Sequence, residues 1–324
     1  MSDPTGSTAI RELAAQVQTV RQKVQAEVAR IVVGMEDVTE QLLIALLGNG
    51  HVLLEGVPGV AKTTLSKAFA RILGCQYQRV QFTPDLLPSD VTGTYIFNKK
   101  TDNFELRKGP IFCQVLLADE INRAPAKTQS ALLEAMQEVQ VTIEGTTLPL
   151  NPPFLVLATQ NPVEQEGVYR LPEAQLDRFL LKVEMGYPGH DFEVSMLKLH
   201  SRPTDEPSPL FTPDQILHMQ GLLPQVYGNE GLLHYIVNLA EASREHPDLA
   251  LGASPRAALC LLRCARARAL LDGRHFFTHE DVQAIALGVL GHRLIMRPEA
   301  EVEGKRVADV VSDLLGTVPV METK

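Results

Sequence analysis

Val52-Leu-Leu-Glu-Gly56-Val-Pro-Gly-Val-Ala-Lys62-Thr63-Thr64 decides the fold. Val52-Leu-Leu54 is a short apolar run, and Leu65, Phe69 and Ile72 follow the turn at helical spacing. A small-residue loop therefore joins a buried strand to a helix. Such a loop turns backbone N–H groups toward an anion at the positive end of the helix. The phosphate cradle is assigned to Gly56, Val57, Pro58, Gly59, Val60, Ala61, Lys62, Thr63 and Thr64. Lys62 reaches the β- and γ-phosphates of a nucleotide, and the Thr63 hydroxyl ligates Mg²⁺. Ala61 stands where the usual pattern has its second glycine. A methyl group fits there if the residue takes right-handed helical dihedrals, because glycine is needed only at positive φ or where backbone crowds the ligand. Taken alone, the segment also reads as a helix-capping Gly-Pro turn with a solvated Lys62.

Two further strand ends weigh against that plainer reading. Val115-Leu-Leu-Ala-Asp119-Glu120 is an apolar run closed by two carboxylates. Asp119 holds Mg²⁺ through water, and Glu120 polarises the attacking water. Phe154 to Thr159 is another buried run, ending in Gln160-Asn161-Pro162. Asn161 can hydrogen-bond the γ-phosphate or the water, although an Asn-Pro turn explains it as well. Ligands bind at the carboxyl ends of strands in open α/β sheets, so the three elements converge.

Apolar runs at Tyr77 to Phe82 and Phe179 to Val183 complete the set, with helical patterns between several of the runs. Near-continuous apolar strands alternating with helices mean a parallel sheet covered on both faces. Tyr95 to Arg107, turning near Asp102-Asn103, and Val139 to Leu150, turning at Glu144-Gly145, read as β-hairpin inserts. Residues 10–30 read as an exposed amphipathic helix, and Val38 to Leu47 as a second helix. Gly186-Tyr-Pro-Gly189 closes the α/β part. The rest reads as helical, with a proline-rich connection through Pro203, Pro207, Pro209 and Pro213. The expected division is 1–30, an N-terminal helix; 31–188, the α/β core; and 189–324, linker and helical lid.

Composition narrows the function classes. The 324 residues are 45% hydrophobic and 21% charged, with a formal charge of −9. That charge argues against whole-surface binding to nucleic acid or anionic membrane. No apolar run reaches the roughly 20 residues of a membrane span, and Met1 to Gly6 lacks a signal-peptide core. A cytoplasmic location is expected. Cys75, Cys113, Cys260 and Cys264 are expected as free thiols. A metal site from Cys260, Cys264, His275 and His279 is the less favoured reading. Arg256, Arg263, Arg266, Arg268 and Arg274 are expected to form a mostly solvated face.

Motif wording adds a resemblance. Ile31-Val-Val-Gly34, the phosphate loop ending Ala61-Lys-Thr63, and Phe82-Thr-Pro-Asp-Leu-Leu-Pro-Ser-Asp90 resemble the MoxR family of AAA+ ATPases. So do Asp119 to Glu138, Ala158 to Pro162, and Leu171-Pro-Glu-Ala-Gln-Leu-Asp-Arg-Phe179. The likeness is strong over about residues 30–185 and weak beyond. Arg170 departs from it, where a proline is expected. The resemblance implies an α/β AAA+ core with helices on both faces, two hairpin inserts and a C-terminal all-helical lid. Its cofactors are ATP and Mg²⁺. Lys62 and Thr63 become Walker A residues, Asp119 and Glu120 Walker B, and Asn161 sensor 1. Arg178 matches the arginine finger offered to a neighbouring subunit, and Arg256 matches sensor 2. Val33 and Gly34 line the adenine site. Arg178 also has a plainer reading, a salt bridge to Asp177 or Glu173.

The resemblance implies an ATP-driven machine that remodels, matures or activates other proteins, with metal-cofactor insertion a recurring theme. It further implies a homo-oligomeric ring, a hexamer, with a von Willebrand A domain partner and a protein client. The alternatives are a DNA-directed motor or regulator, disfavoured by the charge of −9, and a non-hydrolysing nucleotide-switch scaffold, disfavoured by the complete carboxylate pair. Because Arg256 would open a lid helix, the expectation is that nucleotide lies between core and lid, with Arg256 closing over it.

Overall fold

A computed structural model describes residues 4–57, 59–161, 169, 171–187, 189–200 and 206–320. The chain runs α1 (Pro4–Ala29), α2 (Glu36–Leu47), β1 (Val52–Gly56), α3 (Lys62–Ile72), β2 (Tyr77–Gln81), α4 (Pro88–Thr92), β3 (Gly93–Asn98) and β4 (Asn103–Lys108). It continues through β5 (Val115–Asp119), α5 (Ala126–Glu138), β6 (Gln140–Ile143), β7 (Thr146–Pro149), β8 (Leu155–Gln160), α6 (Glu173–Leu176) and β9 (Leu181–Met185). After these come α7 (His190–His200), α8 (Pro213–Leu222), α9 (Glu230–Glu245), β10 (Leu249–Leu251), α10 (Pro255–Leu271), α11 (His279–Leu290), β11 (Ile295–Met296), α12 (Pro298–Val302) and α13 (Val307–Thr317).

Five strands form one parallel sheet in the order β2-β5-β8-β1-β9. Alternate residues of the three central strands, β1, β5 and β8, feed two different cores. Val52 and Leu54, with Val115, Leu117, Leu155 and Leu157, pack toward the face that carries α1, α2, α3 and the lid. Leu53, Leu116, Ala118, Val156 and Ala158 pack toward α5 and the hairpins. This two-sided burial is why the strands read as unbroken apolar runs.

Both expected hairpins form. β3 pairs with β4 from Gly93↔Lys108 to Asn98↔Asn103. β6 pairs with β7 around Glu144 and Gly145, at φ 48° and 83°, the left-handed pair that suits a two-residue turn. One short antiparallel ribbon, β10–β11, interrupts the lid helices. No helix among the described residues is long and apolar enough to cross a membrane.

One expectation is corrected. The N-terminal helix is not an exposed arm: Ala14, Val17, Val24 and Val28 are buried where α1 lies against α2, α3 and α10. An apolar stripe of that length needs a partner, and the core helices α2 and α3 and the lid helix α10 supply it.

Candidate functional site at the carboxyl edge of the sheet

β1 delivers the phosphate loop. Gly56 ends the strand where a Cβ would meet the Met185 carbonyl at 2.4 Å, so only glycine lets β1 and β9 finish side by side. Gly59 follows at φ +88°, with no atom within 4 Å of its Cβ position. Ala61, the N-cap of α3, adopts φ 59°, ψ 21°. The expectation of right-handed dihedrals there is therefore corrected. The loop needs a left-handed residue to aim the first amides of α3, and alanine takes it at a cost of roughly 1–2 kcal/mol. Val60 is buried, Val57 and Thr63 are half-buried, and Thr64 is exposed; Pro58 lies outside the described residues.

Lys62 donates from Nζ to the Gly56 carbonyl at 2.6 Å. Burial draws its pKa below the ordinary lysine value, against the opposing pull of Asp119, Glu120 and Glu55. The ammonium therefore feels the negative charge of both strand-end carboxylates.

Those carboxylates are organised by one hydroxyl. Thr159, at the end of β8, donates from Oγ1 to Asp119 Oδ1 at 2.6 Å and accepts the Glu120 N–H at 2.8 Å. Glu120 sits in the left-handed region, at φ 56°, as the chain swings off β5. Its Oε2 accepts from Gln81 Nε2 at 2.6 Å and from Arg123 Nη1 at 3.0 Å. Arg79 donates from Nη2 to Asp119 Oδ2 at 2.6 Å. Asn161, one residue beyond β8, is buried. Val33 and Gly34 lie in the turn before α2, where Gly34 (φ +76°) is covered by the Phe192 ring, 3.0 Å from its Cβ position.

The sequence reading passed over Arg79, Gln81, Thr159 and Phe192. Arg79 and Gln81 had a signal: they alternate on β2, which pairs in register with β5 (Gln81↔Asp119). No local pattern marks Phe192.

Arg178 and Arg256 are elsewhere. In the β1–β9 register Val52 faces Leu181 and Gly56 faces Met185. Leu180 N–H bonds to the His51 carbonyl at 2.8 Å. The Arg178 segment is thus at the amino edge, about 13 Å along β1 from the phosphate loop at 3.3 Å per residue. Arg178 donates from Nη1 to the Leu133 carbonyl of α5 at 2.7 Å. Of the two carboxylates in the plainer salt-bridge reading, Asp177 pairs with Arg293 at 2.8 Å. Arg256, exposed at the start of α10, is near enough to His51 to help depress its pKa. The expected lid closure of Arg256 over this chain's own nucleotide is revised accordingly. Arg263 donates to the Gly48 and Asn49 carbonyls, which docks α10 at that amino edge.

Two other arginines of this run are paired rather than solvated. Arg268 pairs with Glu40 at 3.2 Å and Arg274, just past the helix, with Asp281 at 2.6 Å. All four cysteines are buried free thiols. Among the described residues no group of three or more His, Cys, Asp or Glu is placed to hold a metal ion. The Arg170 departure lies outside the described residues.

The carboxyl edge fits a magnesium nucleotide. The Thr63 hydroxyl and Asp119 carboxylate are hard oxygen donors of the kind Mg²⁺ takes alongside phosphate. The open side of Gly59 and the start of the eleven-residue α3 suit a phosphate chain.

Comparison with known proteins supports the nucleotide. Residues 51–181 match the ATPase family associated with various cellular activities (AAA), and residues 241–314 match the AAA lid domain. The chain is 43% identical to Chaperone MoxR1 of Mycobacterium tuberculosis over 315 residues, 94% of this chain and 83% of that one. It is 32% identical to Protein MoxR of Methylorubrum extorquens over 321 residues, 91% of this chain and 92% of that one. The solved structure of a putative ATPase from Cytophaga hutchinsonii superposes with a TM-score of 0.91 at 41% identity, covering 98% of this chain and 99% of that one.

Proposed function

Given that the chain belongs to the MoxR family of AAA+ ATPases, we propose that it hydrolyses Mg²⁺-ATP to remodel, mature or activate a protein client. The observation that carries this reading is the convergence of Lys62, Asp119 and Glu120 at one end of the sheet. In the proposed division, residues 31–188 are the catalytic unit, 189–324 linker and lid, and 1–30 a brace between them.

Each residue then has a part. Amides of the Gly56–Thr64 loop hold the phosphates, with Lys62 neutralising their charge. Thr63 and Asp119 hold Mg²⁺, which when bound offsets the charge developing on the transferred phosphoryl group. Glu120 Oε2 is committed to Gln81 and Arg123, which leaves Oε1 to orient water and take its proton. Asn161 orients the same water or the γ-phosphate, and Val33 and Gly34 line the adenine.

Arg178 and Arg256 sit at the amino edge, so their proposed target is the phosphate of a neighbouring subunit. That reading calls for a homo-oligomeric ring, here a hexamer. A relative named a chaperone supports a protein client, and the resemblance supports a von Willebrand A partner and a role in metal-cofactor insertion. The ATP it consumes points to the cytoplasm.

The test separates binding from chemistry. Lys62→Ala should lose nucleotide binding. Glu120→Gln keeps the size of the side chain, so it should bind ATP normally while turnover falls about 10²–10⁴-fold. Wild-type turnover in Glu120→Gln would remove the water-activating role from this residue.

A further inference from the structure

Arg293 follows α11, and only 2% of its side chain is exposed. Its five N–H groups meet five oxygens. Nε donates to Asp177 Oδ1 at 2.8 Å. Nη1 reaches the Leu180 carbonyl at 3.3 Å and the Val289 carbonyl. Nη2 reaches the Asp177 carbonyl at 3.2 Å and the Phe179 carbonyl. Four of these acceptors belong to Asp177, Phe179 and Leu180, the residues on either side of Arg178.

Other lid groups close on the same segment. His292 Nε2 lies 3.1 Å from the Phe179 carbonyl. Ser254, the N-cap of α10, donates from Oγ to Asp177 Oδ2 at 3.4 Å. The Arg178 guanidinium itself donates to the Leu133 carbonyl of α5.

We propose that Arg293 is the positioning residue for Arg178, locking the segment that carries it to the lid so that both move as one body. The inference rests on the reading of Arg178 as a group supplied to a neighbouring subunit. A planar five-donor fork that satisfies both sides of one residue fixes its backbone in a way a single ammonium cannot. A transition-state contact loses its effect when misplaced by about 1 Å. Loosening the clamp should therefore lower turnover without changing how the same subunit binds ATP. Any lid displacement is carried directly into the position of Arg178.

The test uses Arg293→Lys, which keeps the charge and loses the fork, in mixed rings whose co-assembly is verified by pull-down. Lys62→Ala and Arg178→Ala subunits are first mixed without it. Recovered activity shows that Arg178 works across an interface; no recovery removes that reading, and this proposal with it. Arg293→Lys is then added to one parent at a time. On the Lys62→Ala subunit, which supplies Arg178, it should cut the recovered activity at least tenfold. On the Arg178→Ala subunit, which supplies the phosphate loop, the change should stay within twofold. Equal losses in both placements mean a general structural role and overturn the proposal, as does no loss in either. If Arg293→Lys fails to fold, Asp177→Asn removes one charged acceptor of the clamp and is placed in the same two ways. A further readout is steady-state: Arg293→Lys alone should lower kcat with KM within twofold, and should cost nothing more in an Arg178→Ala background.

Discussion

The two ends of the parallel sheet are built on opposite principles. At the carboxyl edge, functional groups are half-exposed and held by exchangeable partners: Lys62 by a carbonyl, Glu120 by Gln81 and Arg123, Asp119 by Arg79. Ala61 and Glu120 also sit in strained left-handed backbone, a common mark of functional loops. At the amino edge, the groups that dock the lid to the sheet are buried and hydrogen-bonded. Arg293 fills every donor, and His51 uses both ring nitrogens, Nε2 toward the Met136 carbonyl at 2.9 Å and Nδ1 from the Val156 N–H at 3.0 Å. One end can swap partners when a ligand arrives; the other holds lid, sheet and Arg178 in a fixed relation. The comparison predicts that changes at the amino edge alter turnover or stability, while partner changes at the carboxyl edge alter ligand affinity.

The largest expected effect tests the division directly. Arg178→Ala should bind ATP within a few-fold of wild type, yet lose turnover by about 10³-fold, because a cation supplied in trans stabilises charge present only in the transition state. Equilibrium binding and steady-state rates on the same preparation measure both. Loss of binding and turnover together would return Arg178 to the phosphate site of its own chain.

Acid should break the amino edge first. Burial, followed by the charges of Arg263 and Arg256, lowers the His51 pKa to about 4 from the ordinary 6.5. Between these values the unfolded chain binds a proton that the folded chain refuses, so stability falls as pH drops from 6.5 toward 4. By pH 4.5 the loss reaches about 2–3 kcal/mol at 1.36 kcal/mol per unit. Protonating Nδ1 would also eject the Val156 N–H. His51→Gln should lose about that much less between pH 7 and pH 4.5 in urea unfolding. Equal losses in both proteins would assign the acid sensitivity elsewhere.

The same contrast explains what the sequence makes legible. The carboxyl edge is readable because each contribution is a strand end followed by its own functional residue. Gly56 to Lys62, Asp119-Glu120 and Asn161 each carry strand, turn and chemistry within a few positions. The amino edge is joined by pairs far apart in the chain: Arg293 with Asp177, 116 residues away, and Arg263 with Gly48, 215 residues away. No periodicity reveals such docking, and so Arg256 reads naturally as facing its own phosphate loop, while the folded chain brings it near His51. Arg268 and Arg274 mislead for the same reason. Their spacing looks like a solvated face until Glu40, on α2, and Asp281, at the start of α11, are brought beside them.

A smaller effect is expected where a carboxyl-edge pair is exchanged. The Arg79 side chain is 46% exposed and its partner Asp119 13% exposed, and exposed pairs of this kind contribute at most about 1 kcal/mol. Arg79→Gln should free Asp119 Oδ2 and lower the Mg²⁺ concentration for half-maximal rate, by no more than about fivefold. A higher requirement for Mg²⁺ would mean that Arg79 orients Asp119 rather than competing for it.

The smallest effect lies within the phosphate loop, where two neighbouring substitutions should act in opposite directions. Ala61 holds φ 59° without the glycine that this geometry favours. Ala61→Gly removes roughly 1–2 kcal/mol of left-handed strain. It also returns about 0.5–1 kcal/mol of chain entropy to the unfolded state. The net gain should be about 0.5–1 kcal/mol, seen as a rise of about 1–2 °C in the unfolding midpoint. Gly59 is already at φ +88° with open space at its Cβ position. Gly59→Ala therefore meets no clash and pays only strain, so its midpoint should fall. Ala61→Gly leaves the amides of α3 where they are, so ATP affinity should change little. A fall in the midpoint of Ala61→Gly would mean that the methyl group makes packing contacts worth more than the strain. Ala61 does border the apolar core behind the loop, and the sign of this one measurement decides which term is larger.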